Sequence, residues 1–381
     1  MRRPFHALAL ATALAAVATV ASAQHLTLPR QGANQRSEIR QRIGLVEVAV
    51  DYSSPDVHAP DGSDRRGKVW GQLVPWGYAD LGFGTCGAKC PWRGGADENT
   101  VFSTSHDLEV EGQPLAAGRY GLHFLPGESE WTVIFSRDAD SWGSFFYDEA
   151  DDVLRVQVKP VQREYREWLT YDFTDRRPDR ATVELQWEEL AVPIRLVVAD
   201  PAELYYRTIA AELRNRPGFD AAGWAEGARY LASEKSHLDV AERWAETAVD
   251  SPQIGRVDFD TLSTLAVVKR AAGKPAEAAA AMDRAIAHPT ATPLALYGLA
   301  RPLIAAGDPA EALRLFELGH ARFDGAWPFE VGLGRAHAAL GDAAKALEHM
   351  RKAVAQAPDE PNKRNLERLV ARLEKGDTAI N

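Results

Sequence analysis

The sequence predicts a chain in which β and α structure are segregated, an antiparallel β-sandwich or barrel followed by an α-helical solenoid. Three observations predict it. From about Ile43 to Val198, aromatic and β-branched residues alternate in short runs broken by Gly, Pro and Asp clusters. After Asp200-Pro201 the composition turns to Ala, Leu, Glu and Arg. Beyond that point Gly273, Gly307 and Gly341 recur at a spacing of 34 residues, and a fixed period of this kind marks stacked repeats.

The first 23 residues read as a secretory signal peptide. MRRPFH is basic, the stretch from Ala7 to Val20 is apolar, and Ala21-Ser22-Ala23 places a small-x-small cleavage signal before Gln24. The apolar stretch is shorter than the roughly 20 residues a spanning helix needs. The expected mature start is Gln24 and the expected location periplasmic or secreted, with no membrane span. At 381 residues the chain exceeds one ordinary domain. Its net charge of −10 disfavours binding to a phosphate backbone, so no nucleic-acid partner is expected.

After an N-terminal segment, residues 24–42, the β domain is expected over 43–199. VEVAVDY, GKVWGQLV, NTVFST, RYGLHFL, EWTVIFS, DVLRVQV, WLTYDF, ATVELQW and VPIRLVV read as strands. No amphipathic helix separates them, which argues against an α/β fold. In RYGLHFL, Tyr120, Leu122 and Phe124 share one face and His123 takes the other. Asp200-Pro201 then suits a helix start, because proline fits a first turn.

A helical linker and an irregular first repeat occupy 200–255, where LDVAERWAETAVDSP aligns with PAEAAAAMDRAIAHP 37 residues later. Regular repeats fill 256–358. Leu265, Leu299 and Leu333 are in register, as are Ala278, Ala312 and Ala346, then Met282, Phe316 and Met350, then Ala285, Gly319 and Ala353. Residues 359–381 hold a capping helix and tail, with the polar outer face such a cap needs. The small and large positions resemble the tetratricopeptide (TPR) pattern. That resemblance implies antiparallel helix pairs that bind a protein or peptide, with the inner face of each first helix as the place to look.

Phrases of the β region resemble a family of secreted bacterial domains, domain-of-unknown-function family 2911. They are Asp51-Tyr52-Ser53-Ser54-Pro55, Gly67 to Pro75, Trp92-Arg93-Gly94-Gly95-Ala96-Asp97-Glu98-Asn99-Thr100, Gly112 to Tyr120, and Pro126 to Phe135. The resemblance covers about Leu28 to Val198 and implies a fold and a bacterial envelope address, but no activity. Three features depart from the family pattern. GYADLGFGTCGAKC is inserted between Trp76 and Pro91, Asp97 stands where the family has asparagine, and Ser54 where it often has arginine.

The insertion carries the only two cysteines, Cys86 and Cys90. In an oxidising compartment they read first as a disulfide, since a turn can bring their Cα atoms within bridging reach. A copper- or zinc-handling site using Cys86, Cys90 and His58 is the sharper alternative. The candidate ligand residues are Tyr52, Trp92, Arg93, Asp97, Glu98 and Asn99. Here a guanidinium, two carboxylates and an amide could hold a small polar ligand beside a stacking indole. A second alternative is a hydrolase of a polar envelope or carbohydrate substrate, with Asp97 or Glu98 as acid or base. Adjacent residues of an extended segment face opposite ways, which weighs against these two acting as a pair. No nucleophile elbow, P-loop, dinucleotide fingerprint or zincin motif is present, and no cofactor is implied. The sequence is therefore read as a non-enzymatic envelope protein, a β recognition domain fused to a protein-interaction array.

Overall fold

A computed structural model describes residues 34–380. The signal-peptide reading, residues 1–23, and the start of the N-terminal segment lie outside the described residues. Ten strands form two antiparallel sheets. The first sheet takes β1 (Gln35–Ile43), β2 (Val46–Ser54), β3 (Val101–Thr104), β6 (Gly118–Leu125), β7 (Trp131–Ser136) and β8 (Asp152–Val158), in that spatial order. The second has β5 (Gln113–Leu115), β4 (Leu108–Val110), β10 (Arg180–Val197) and β9 (Val161–Thr174). Both sheets feed one apolar core. Val48, Phe102, Leu122 and Phe135 from the first meet Leu169, Val183, Trp187 and Ile194 from the second.

The differences from the expected strands have local causes. β1 escapes an apolar reading because it is an edge strand, written QRSEIRQRI, that pairs along its length with β2. Ile39 packs against the core and Ile43 is buried in it, while its polar residues meet solvent. GKVWGQLV is not a strand. Gly67 and Gly71 turn the chain at positive φ, and Val69 and Val74 plug the core from a loop. ATVELQW and VPIRLVV fuse into β10, which bulges at Glu188. Pro193 costs no ladder bond there, because pairing to β9 ends at Ala191 and pairing to β4 begins at Leu196.

The second half is helical throughout. α1 (Pro201–Glu212) begins as expected, with Asp200 Oδ1 accepting from the Glu203 amide at 2.9 Å. α2 (Ala221–Ser233) and α3 (Leu238–Asp250) form the irregular pair. Three regular pairs follow: α4 (Phe259–Ala271) with α5 (Pro275–Ala287), α6 (Pro293–Ala305) with α7 (Pro309–Arg322), and α8 (Trp327–Ala339) with α9 (Ala343–Ala355). α10 (Glu360–Glu374) closes the stack. The register residues explain the packing. Ala278, Ala312 and Ala346 are buried, and a Cβ at Gly319 would enter the ring of Phe329. The first pair breaks the 34-residue spacing because the link 251–258 outgrows 288–292, while α3, α4 and the turn 272–274 keep the lengths of their counterparts. Among the described residues no helix is long and apolar enough to cross a membrane.

A candidate ligand cavity in the β domain

Between β2 and β3 the chain runs through residues 55–100 almost without strand, and this segment walls a cavity of about 440 Å³. That volume falls in the ordinary range for small-molecule sites. Trp92 and Trp187 supply stacked indoles, 6.4 Å apart, on one wall. Arg65, Asp56, Arg93 and Asp97 supply charge, and Asn34 and Ser144 add polar groups. Of the six sequence candidates, the structure thus brings Trp92, Arg93 and Asp97 to one cavity.

Arg93 is the least satisfied of these. Its Nη1 donates to the Asp97 carbonyl, and its guanidinium carbon sits 5.1 Å from the centre of the Phe145 ring. No carboxylate makes an ion pair with it among the described residues. Burial pulls the guanidinium below its ordinary value, with the Asp97 charge opposing. The side chain lies flat against Gly143, whose backbone is left-handed and whose Cβ, if present, would occupy the guanidinium. Asp97 itself has φ of 57°, a conformation that asparagine and aspartate both tolerate. The exchange of the family's asparagine for Asp97 therefore keeps the backbone. Asp97 Oδ2 accepts from Asn34 Nδ2 at 3.0 Å.

The other candidates lie elsewhere. Glu98 Oε2 accepts from Ser53 Oγ at 3.1 Å and lies 3.7 Å from Arg36. The two carboxylates of the hydrolase alternative therefore face different partners. Asn99 is buried, its Nδ2 donating to the Asp138 carbonyl at 3.2 Å. Tyr52 is a core residue, with its ring edge-on to Tyr171 at 4.8 Å. Trp76 is exposed, whereas Trp92 is packed among Trp70, Phe124, Trp131 and Trp187.

The inserted loop borders this cavity. Ala79 and Cys90 pair through backbone bonds of 2.9 and 3.0 Å, and Cys86 is bonded to Cys90 with Cα atoms 5.1 Å apart. The Thr85 amide donates to the Phe145 carbonyl at 2.8 Å, an approach open only because residue 84 is glycine at positive φ. The metal set of the sequence reading is not assembled. Its cysteines are bonded to each other, and His58 Nδ1 lies 2.7 Å from Glu167 Oε1. Among the described residues no three His, Cys, Asp or Glu side chains cluster as metal ligands.

His123 stands behind the wall. It is fully buried, with Nδ1 3.0 Å from Ser144 Oγ. Burial first, and the Arg93 charge second, push its imidazole down to about 4, with Asp138 opposing. Sequence reasoning did not mark Ser144, Arg65, Asp56 or Asn34. Asp56 and Arg65 lie early in the 55–100 segment, while Asn34 and Ser144 come from outside it, and no spacing links the four.

Residues 34–196 match DUF2911, a protein of unknown function. The DUF2911 region ends where β10 ends. Residues 303–373 match a tetratricopeptide repeat model, so a DUF2911 region is fused to TPR-type repeats. The chain is similar to a solved structure of nearly identical TPR-like repeats from Podosopora anserina, described as of a putative kinesin light chain. Identity is 18%, coverage 47% of this chain and 89% of that one, and the TM-score 0.26. A singly substituted form of that same repeat protein matches at 19% identity, 46% and 87% coverage, and a TM-score of 0.26. No curated protein matches the chain.

Proposed function

We propose that this is a non-enzymatic envelope protein whose β domain holds a small polar ligand at Arg93 while its helical array engages a protein partner. One observation carries the ligand half: a half-buried guanidinium without a carboxylate partner, set in the wall of an indole-lined cavity. Withdrawing a charge from water is costly unless it is paired, so a ligand acceptor at Arg93 would offset part of that cost. Trp92 and Trp187 offer apolar faces for the ligand body, and Asp97 and Asp56 accept from its donors. The partner half is supported by the repeats, whose stacked first helices present an extended surface of the kind used for protein binding.

The test uses the intact protein and a truncation ending at Asp200, both cleaved at the expected Gln24. Each is screened by thermal shift against envelope metabolites and used to capture partners by cross-linking. The proposal expects ligand stabilisation in both, lost in Arg93→Gln, and partner capture only by the intact chain. Turnover of a bound metabolite by the truncation would replace the recognition reading with the hydrolase one.

A further inference from the structure

We propose that the β-domain cavity takes a free α-amino acid with a large apolar side chain, its carboxylate at Arg93 and its ammonium at Asp97. The inference rests on the reading of Arg93 as a ligand contact and names the chemistry of that ligand.

The charges that line the cavity divide into a settled pair and an unsettled one. Two cations, Arg65 and Arg93, and two carboxylates, Asp56 and Asp97, face it. Arg65 is committed to its own loop. Its Nε donates to the Val57 carbonyl at 3.0 Å and its Nη2 to the Asp56 carbonyl at 2.9 Å, and the Asp56 carboxylate lies 3.9 Å from Nη2. Arg93 and Asp97 are not settled in this way. The Arg93 guanidinium meets the main-chain carbonyl of Asp97, not its carboxylate. That carboxylate accepts from the neutral amide of Asn34 at 3.0 Å, and among the described residues no cation makes an ion pair with it.

The local backbone holds the two unlike charges on one wall. The bond from Arg93 to the Asp97 carbonyl closes a turn over residues 93–97, and Asn34 ties the Asp97 side chain to it from outside the turn. The Asp97 charge is near enough to act on Arg93, yet each group lacks an ionic partner.

Such a pair selects for a ligand that carries both signs. A simple anion gains at Arg93 but is repelled by Asp97, a simple cation meets the reverse, and a neutral ligand leaves both charges unpaired in a partly desolvated wall. A phosphate dianion is repelled more strongly still. An α-amino acid puts a carboxylate and an ammonium on one carbon, so a single molecule supplies a charge-assisted partner to each. The rest of the lining sets the side chain. Leu73, Val74, Pro75, Leu81, Trp92 and Trp187 are apolar, and the cavity of about 440 Å³ has room for an aromatic or branched group beyond the charged end.

The full chain is titrated by calorimetry with phenylalanine, leucine, methionine and tryptophan, then with the N-acetyl form and the amide of the tightest binder. The N-acetyl form lacks the ammonium and the amide lacks the carboxylate. At least one free amino acid should bind saturably, and each derivative at least about tenfold more weakly, as loss of one charge-assisted contact implies. Asp97→Asn, which suits the same left-handed backbone, should bring the N-acetyl form level with the free amino acid. Arg93→Gln should bring the amide level, and if that variant does not fold, Asp97→Asn alone decides.

No binding by any of the four, derivatives that bind as tightly as their parent, or an Asp97→Asn chain that still prefers the free amino acid overturns the inference. Equal binding of the amide alone places the amino end of a peptide at Asp97 and overturns the free amino acid. Equal binding of the N-acetyl form, lost in Arg93→Gln, leaves Arg93 as a ligand contact while this inference fails. A free amino acid that binds wild type and Arg93→Gln alike removes the reading of Arg93 itself.

Discussion

His123 makes the cavity wall measurable through pH. Its buried imidazole is held down to about 4 by burial and then by Arg93, whereas an unfolded histidine titrates near about 6.5. As pH falls, the unfolded chain takes up the proton first. Stability is therefore full above about 6.5 and is lost as pH drops toward about 4, below which this group contributes no further change. The gap of about 2.5 units, at about 1.4 kcal/mol each, amounts to roughly 3 kcal/mol. For a domain of this size that is a fall of roughly 6–12 °C in Tm.

The assay is thermal unfolding of wild type and His123→Gln from pH 7.5 to 4.5. The carboxylates that titrate in both chains cancel in the difference, leaving the histidine contribution. Direct titration of the imidazole by NMR gives the same quantity without unfolding. Arg93→Gln should raise the His123 pKa part of the way to its ordinary value, since burial, the larger cause, remains. An anionic ligand at Arg93 should do the same, which turns His123 into a reporter of cavity occupancy. Identical pH slopes for wild type and His123→Gln, or an imidazole that titrates near its ordinary value, would refute the reasoning.

Further expectations follow from the same geometry. Replacing Cys86 and Cys90 by serine should cost about 2 kcal/mol at most by the chain-entropy argument for a short loop, and should speed proteolysis within 79–90, read by mass spectrometry. Gly143→Ala places a methyl where the Arg93 guanidinium lies and strains a left-handed residue; a loss of about 1–2 kcal/mol and a raised His123 pKa are expected by denaturant melt and NMR. Lys269→Met leaves Glu242, Glu246 and Glu277 facing one another. The array should lose about 1–3 kcal/mol, less at high salt, because these carboxylates are partly solvated.

The repeats were the most legible part of the molecule. A helix pair that must approach closely needs Ala or Gly at fixed positions, so Ala278, Ala312 and Ala346 announce the packing before any coordinate is known. The strand count was less secure where pattern and pairing part company. GKVWGQLV has strand composition because Val69 and Val74 reach the core, yet they do so from turns. QRSEIRQRI lacks that composition because an edge strand with a solvated face needs only Ile39 and Ile43.

The sequence by itself determined the two-part architecture and the register of the repeats, since each depends on local spacing, whereas the bonding of Cys86 to Cys90, which the sequence offered beside a metal site, was decided by the structure. The sequence also brought forward Trp92, Arg93 and Asp97, which are near neighbours along the chain. Only the tertiary structure decided that Tyr52 and Asn99 are interior, that Asp97 and Glu98 face different partners, and that Arg65, Ser144 and Trp187 complete the cavity. It alone decided, too, that Arg93 is left without a carboxylate partner among the described residues. Pairing of charges depends on distances between elements that no linear spacing records, and the cost of leaving one unpaired depends on burial, which exists only once the chain has folded.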